Sequence, residues 1–206
     1  MKPAVHERSS PVPEMPPPLV LRLRPVIELS GDQLLELSSL NDDLRLELTA
    51  EGELIVMAPA GGESSRRNMK LATRVGAWAE QNDTGVAFDS SGGFVLPNGA
   101  IRSPDASWVE RSRYEELTPE QREKYLPLCP DFVVELRSPS DALSTLQEKM
   151  AEYVENGARL GLLLDPARKR VYVYKPGEPV RELADPEEVS ADPVLPGFVL
   201  KPREVW

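Results

Sequence analysis

The chain has 206 residues, with 24 Lys and Arg against 34 Asp and Glu, and a formal net charge of −10. That balance excludes a broad non-specific nucleic-acid surface, though not a local basic stripe, and no apolar run is long enough to span a bilayer. The single cysteine, Cys129, excludes an internal disulfide and a cysteine-built zinc site, and the single histidine, His6, leaves the body of the chain without histidine chemistry.

The first residues lead into polar side chains and prolines, not an apolar run. No secretory leader and no membrane association are expected, and a reducing cytoplasm is the expected setting. Residues 1–24, with Pro11, Pro13, Pro16, Pro17 and Pro18, read as a flexible proline-rich tail whose end could dock through Val20, Leu21 and Leu23, and residues 25–206 as one domain. Ser30 and Gln33 have capping-box spacing ahead of Leu34, Leu35 and Leu37, which predicts a short helix. Leu44, Leu46 and Leu48 alternate with Arg45, Glu47 and Thr49, a strand with one buried face. Glu51-Gly52 turns the chain into a return strand at Leu54 to Met57, so residues 44–58 read as a β-hairpin.

Residues 64–82 carry the longest helical pattern, with Met69, Ala72, Val75, Trp78 and Ala79 on one face. Arg66, Lys70 and Arg74 stand four apart on another face with Arg67 beside them, either a solvated face or a phosphate-facing stripe. Three short strands are expected at 86–89, 93–96 and 106–109, and Thr118, Pro119 and Gln121 open a short helix. Phe132 to Glu135 reads as a buried strand that breaks at Ser138-Pro139. Ser140 is placed to cap a helix reaching Asn156, with Leu143, Leu146, Met150, Tyr153 and Val154 as its apolar stripe. Leu160 to Leu164 reads as an interior strand and Arg170 to Tyr174 as its hairpin partner. The order strand–helix–strand from residue 132 to 164 predicts a right-handed crossover and a parallel pair. The expected class is therefore α/β, a central mixed β-sheet flanked by helices, with additional β-hairpins.

Two carboxylates stand at strand ends, Asp105 after Pro104 and Glu135 after a hydrophobic run, and Lys149 lies mid-helix beyond. Carboxylates brought to one end of adjacent strands repel unless a cation shares the site. Magnesium, or manganese in its place, suits such a pair, with water and a backbone carbonyl completing its shell. A lysine beside it could orient the water, a workable set for phosphodiester hydrolysis. The same residues admit plain structural roles. Glu135 could pair with Arg137 or Lys149, Asp105 could cap a turn, and Lys149 could pair with Glu152 on its own helix. Glu63 could cap the first long helix or reach a metal. No glycine loop has a phosphate-binding spacing, since Ser90-Ser91-Gly92-Gly93 lacks a following lysine, so no nucleotide cofactor is expected.

Several ordered segments carry a family likeness: Gly52-Glu53-Leu54-Ile55-Val56-Met57-Ala58-Pro59, Gly61 to Asn68, Arg102-Ser103-Pro104-Asp105-Ala106-Ser107-Trp108-Val109, Pro130 to Asp141, and Lys149 to Ala158. Together, over residues 26–200, they resemble the Uma2 family of endonucleases. The resemblance implies a restriction-endonuclease-like fold of the PD-(D/E)XK superfamily and hydrolysis of nucleic acid, DNA above RNA. It matches the superfamily's PD to Pro104-Asp105 and its acidic strand residue to Glu135, which makes these two the metal ligands. Position 137 is arginine where the general pattern has lysine, and the family's lysine lies in the next helix, here Lys149. Arg137 holds its proton too firmly to act as a base, so it is left a supporting role. A homodimer would join two stripes of Arg66, Arg67, Lys70 and Arg74 and could cut both strands. Two other readings stand beside this one. One is a non-catalytic binding or assembly protein retaining the nuclease fold. The other, a carboxylate-pair glycosidase, fits poorly, because sugar-stacking aromatics are scarce and only Trp78 and Trp108 offer themselves as platforms.

Overall fold

Residues 18–206 are described by the computed structural model, and residues 1–17 of the tail expected over residues 1–24 lie outside them. The chain opens with strand β1 (Leu19–Arg22), helix α1 (Gly31–Leu40) and the strands β2 (Arg45–Leu48) and β3 (Glu53–Met57). Helix α2 (Gly62–Asn82) leads into β4 (Gly85–Asp89), β5 (Phe94–Val95), β6 (Ile101–Arg102) and β7 (Ala106–Glu110). Two short helices, α3 (Arg111–Glu115) and α4 (Pro119–Arg122), precede β8 (Phe132–Leu136), α5 (Leu143–Glu155), β9 (Leu160–Asp165) and β10 (Arg170–Tyr174). The strands β11 (Arg181–Ala184), β12 (Val189–Ser190) and β13 (Val199–Leu200) and a 3-10 turn at Pro202–Glu204 finish the chain.

The larger sheet runs β11-β10-β9-β8-β7-β4. Its pairings are antiparallel except β8 with β9, which α5 joins as a crossover and which are parallel. Successive side chains of a strand point to opposite faces, and both faces of β8 and β9 are covered. Phe132, Val134, Leu136, Leu160, Leu162 and Leu164 pack with Leu71, Val75 and Trp78 of α2 on one side. Val133 and Leu163 pack with Met150 and Tyr153 of α5 on the other. Double coverage explains why Leu160 to Leu164 is a continuous apolar run instead of an alternating one.

The smaller sheet runs β1-β3-β2-β6-β5. Its Leu46, Leu48, Leu54 and Ile101 pack on Leu34 of α1, whose start is held by the expected capping box between Ser30 and Gln33. The expected hairpin over residues 44–58 is β2 with β3, Leu48 opposite Leu54.

Two expectations need correction. The described end of the expected tail is strand β1, paired antiparallel with β3 from Leu19 opposite Val56 to Arg22 opposite Glu53. All four of its residues are exposed, so no one-sided burial pattern marks it; backbone pairing holds it. Helix α5 begins at Leu143 with Ala142 at its N-cap and no side-chain cap, not at Ser140. A local turn intervenes, in which Ser138 N donates to Asp141 Oδ2 (2.8 Å) and the Ser138 and Ser140 hydroxyls meet at 2.9 Å.

Candidate active site

Pairing of β7 with β8 sets Ala106 opposite Val134. The next residues outward, Asp105 and Glu135, therefore face each other across the strand ends, where side chains on adjacent strands start about 5 Å apart. Both are buried. Helix α5 crosses the same face of the sheet and brings Lys149 Nζ to 2.8 Å from Glu135 Oε1. Asp105, Glu135 and Lys149 line one cleft of about 130 Å³ with Arg45, Asn68 and Leu136.

Hydrogen bonds fix each carboxylate. Leu136 N donates to Asp105 Oδ2 (2.8 Å), and Asn68 Nδ2 of α2 donates to Oδ1 (2.9 Å) with Arg45 Nη1 at 3.4 Å. Tyr153 Oη donates to Glu135 Oε1 (3.0 Å), the oxygen that also meets Lys149. Among the described residues Glu135 Oε2 has no hydrogen-bond partner.

Strand β2 supplies two residues that the sequence reading did not assign to the site. Arg45 and Glu47 are two apart and so share the face turned away from α1. Glu47 is only 2 % exposed. Its Oε1 lies 2.8 Å from Lys149 Nζ and accepts from Ser103 N at 3.1 Å, and its Oε2 lies 3.3 Å from Arg102 Nη1. Arg102 Nε in turn reaches Glu152 Oε2 at 2.6 Å. Glu152 therefore pairs with Arg102, and Lys149 bridges Glu47 and Glu135 instead of its helix neighbour. The alternation of Leu44, Leu46 and Leu48 was the available signal, but nothing local says that the polar face of such a strand will be covered by a helix 100 residues later.

Four carboxylates, Glu47, Asp105, Glu135 and Glu152, thus meet three cations, Arg45, Arg102 and Lys149. The excess negative charge is felt at Glu135. Burial pushes its carboxyl up to about 7, with Lys149 opposing the rise and the Asp105 and Glu47 charges adding to it. Glu47 is held below the usual carboxylate range: burial opposes this, and Lys149 and Arg102 outweigh it. Lys149 is raised, because Glu135 and Glu47 together outweigh the cost of burying its charge. Among the described residues no three Asp, Glu, His or Cys side chains gather as a metal cluster. The pair Asp105 and Glu135, with Glu135 Oε2 free of hydrogen bonds among the described residues, fits an oxygen-seeking divalent cation that would fill its other positions from water and backbone carbonyl.

The other residues singled out in the sequence lie elsewhere. Glu63, in the first turn of α2, is exposed and paired with Arg66 and Arg67. Lys70 Nζ donates to Glu204 O (2.6 Å), and Arg74 pairs with the Glu204 carboxylate. Arg137 Nη1 bonds Asp165 Oδ2 (2.7 Å) and its Nε bonds Asp141 O, so it braces the β8–β9 ends and does not pair with Glu135. Trp78 and Trp108 meet edge to face inside the core, 5.8 Å between centroids, which removes them as sugar platforms and overturns that reading.

Comparison with known proteins bears on the family and the fold. The profile of the Uma2 family, described as "Putative restriction endonuclease", matches residues 32–203. A solved structure described as "a putative nuclease belonging to DUF820" from Anabaena variabilis superposes with a TM-score of 0.70 at 17% identity, covering 86% of this chain and 97% of that one. At that identity the likeness shows the fold, a restriction-endonuclease-like mixed sheet flanked by helices. No curated protein matches significantly. Since the family profile spans most of its length, the chain belongs to the Uma2 family.

Proposed function

We propose that this protein is a divalent-cation-dependent endonuclease that hydrolyses phosphodiester bonds of nucleic acid, DNA by preference. The observation that carries the reading is Glu135: a buried strand-end carboxylate that faces Asp105 and lines the cleft, with Lys149 and Tyr153 both on one of its oxygens. Asp105 and Glu135 would hold magnesium or manganese. The chemistry such a cation would supply there is a more acidic water and compensation of the charge developing on the phosphate. The chain's own residues do the rest. Asn68 and the Leu136 amide keep Asp105 turned into the cleft. Lys149 presents an ammonium that can hold the attacking water by its oxygen. Arg45, whose side chain is about a third exposed beside Asp105 and lines the same cleft, can pair through its guanidinium with a non-bridging phosphate oxygen.

The test is a cleavage assay on single- and double-stranded DNA and RNA with magnesium or manganese, run beside Glu135→Ala. Metal-dependent cleavage by the wild type that falls at least a hundredfold in the variant supports the site. Equal cleavage by both proteins rejects it. A second reading, a binding or assembly protein that keeps the fold, draws on one observation: Lys149 is already held by two carboxylates and Arg45 already lies against Asp105. Calorimetric titration with both metals, with and without DNA, separates the two, since the second reading expects no binding at this site.

A further inference from the structure

Glu47 lines no part of the cleft that holds Asp105 and Glu135, yet it touches what acts there. Lys149 carries its charge on a flexible four-carbon stem, and its Nζ lies at the same 2.8 Å from Glu47 Oε1 and from Glu135 Oε1. Glu47 is itself clamped. Arg102 holds its other oxygen, and Arg102 is tied back to α5 through Glu152, three residues beyond Lys149 and on the same helical face. The result is a closed ring, Lys149–Glu47–Arg102–Glu152, that pins β2 across α5. Ser103 N also donates to Glu47 Oε1 (3.1 Å), so the same carboxylate fixes the segment two residues before Asp105.

Resting on the nuclease reading above, we propose that Glu47 is a positioning residue: it shares the Lys149 ammonium with Glu135, holding it at Oε1 and leaving Oε2 open for the cation. Two consequences distinguish this from a role in folding alone. The effect of Glu47 on turnover passes through Lys149, and the place of the ammonium depends on Glu47. Without Glu47, the ammonium's remaining carboxylate is Glu135, and it closes over the oxygen that the cation needs.

The experiment compares wild type, Glu47→Gln, Glu47→Asp, Lys149→Met and the double variant Glu47→Gln/Lys149→Met, each checked by thermal unfolding. The expected result is a fall in kcat of about 10- to 100-fold in Glu47→Gln with KM for the nucleic acid unchanged. Glu47→Asp, which keeps the charge one methylene shorter, gives an intermediate loss. Adding Glu47→Gln to Lys149→Met costs nothing further. A further tenfold loss in the double variant, or wild-type kcat in Glu47→Gln, overturns the inference. Crystal structures of wild type and Glu47→Gln provide a readout independent of activity, and Glu47→Asp replaces the latter if Glu47→Gln does not fold. Lys149 Nζ displaced from Glu135 Oε1 toward Oε2 supports the inference, and Nζ unmoved overturns it. A wild type that cleaves no nucleic acid defeats the nuclease reading, and the position of Nζ still decides the role of Glu47.

Discussion

Glu135 shows how one buried group ties stability to the chemistry of the site. An unfolded glutamate titrates near 4.5, whereas burial in the folded chain pushes this carboxyl up to about 7. The folded state therefore binds the proton more tightly than the unfolded one between those values. The stability on this account is complete below about 4.5 and is lost as pH rises through about 7. Glu47 has the opposite sign: its folded carboxyl is lowered, so its contribution is present above 4.5 and is lost in more acidic solution. The two contributions therefore change on opposite sides of about 4.5. Glu135→Gln is expected to gain stability relative to wild type as pH rises from 5 to 8, and urea unfolding at intervals across that range measures the trend. A difference that stays flat would show that Glu135 titrates in its ordinary range.

At the scale of elements, α5 joins the two sheets of the site. Its apolar side, Met150 and Tyr153, packs on β8 and β9, and Lys149 and Glu152 clip it to the smaller sheet. Yet its first turn is left uncapped, because Ala142 stands where a side-chain oxygen would accept from the free amides. Ala142 has the extended backbone of an N-cap, φ −71° and ψ 129°, which serine adopts without strain. Ala142→Ser is expected to stabilise the protein by about 1 kcal/mol, read as a higher urea midpoint with unchanged slope. An unchanged midpoint would mean that the local turn through Asp141 already satisfies the helix start.

For the whole molecule, the proposed nuclease reading requires a chain of net charge −10 to approach a polyanion. The cations of α2 are the available stripe, though each has an internal partner, Glu63 for Arg66 and Arg67 and Glu204 for Lys70 and Arg74. The pairs at Glu63 are open to solvent, where exposed ion pairs are weak and exchange readily for phosphate. The double substitution Arg66→Gln/Arg67→Gln is expected to weaken DNA binding and to lower the slope of log K against log salt by about two, one counterion per lost phosphate contact. Fluorescence anisotropy between 50 and 200 mM salt reads the slope, and an unchanged slope would place the nucleic-acid surface elsewhere. Among the described residues no helix is long and apolar enough to cross a membrane.

Much of the fold was legible because it rests on local rules. Ser30 and Gln33 announced α1, the alternation of leucines announced β2, and a strand, a helix and an apolar run announced the parallel pair of β8 and β9. Glu135 could be singled out because a charge at the end of a hydrophobic strand is costly and therefore conspicuous, whereas the family resemblance joined Asp105 and the mid-helix Lys149 to it. The sequence could not tell what packs on the polar face of β2. Period two assigns Arg45 and Glu47 a common side, but only tertiary packing decides whether that side meets water or α5. Glu47 and Lys149 are 102 residues apart, and Arg102 and Glu47 are 55. Strand β1 escaped for the same reason, since backbone pairing with β3 defines it and its exposed side chains carry no pattern. Residue spacing thus determined the elements and the unusual charges, and the packing of one sheet over the helix of the other decided which charges share a site.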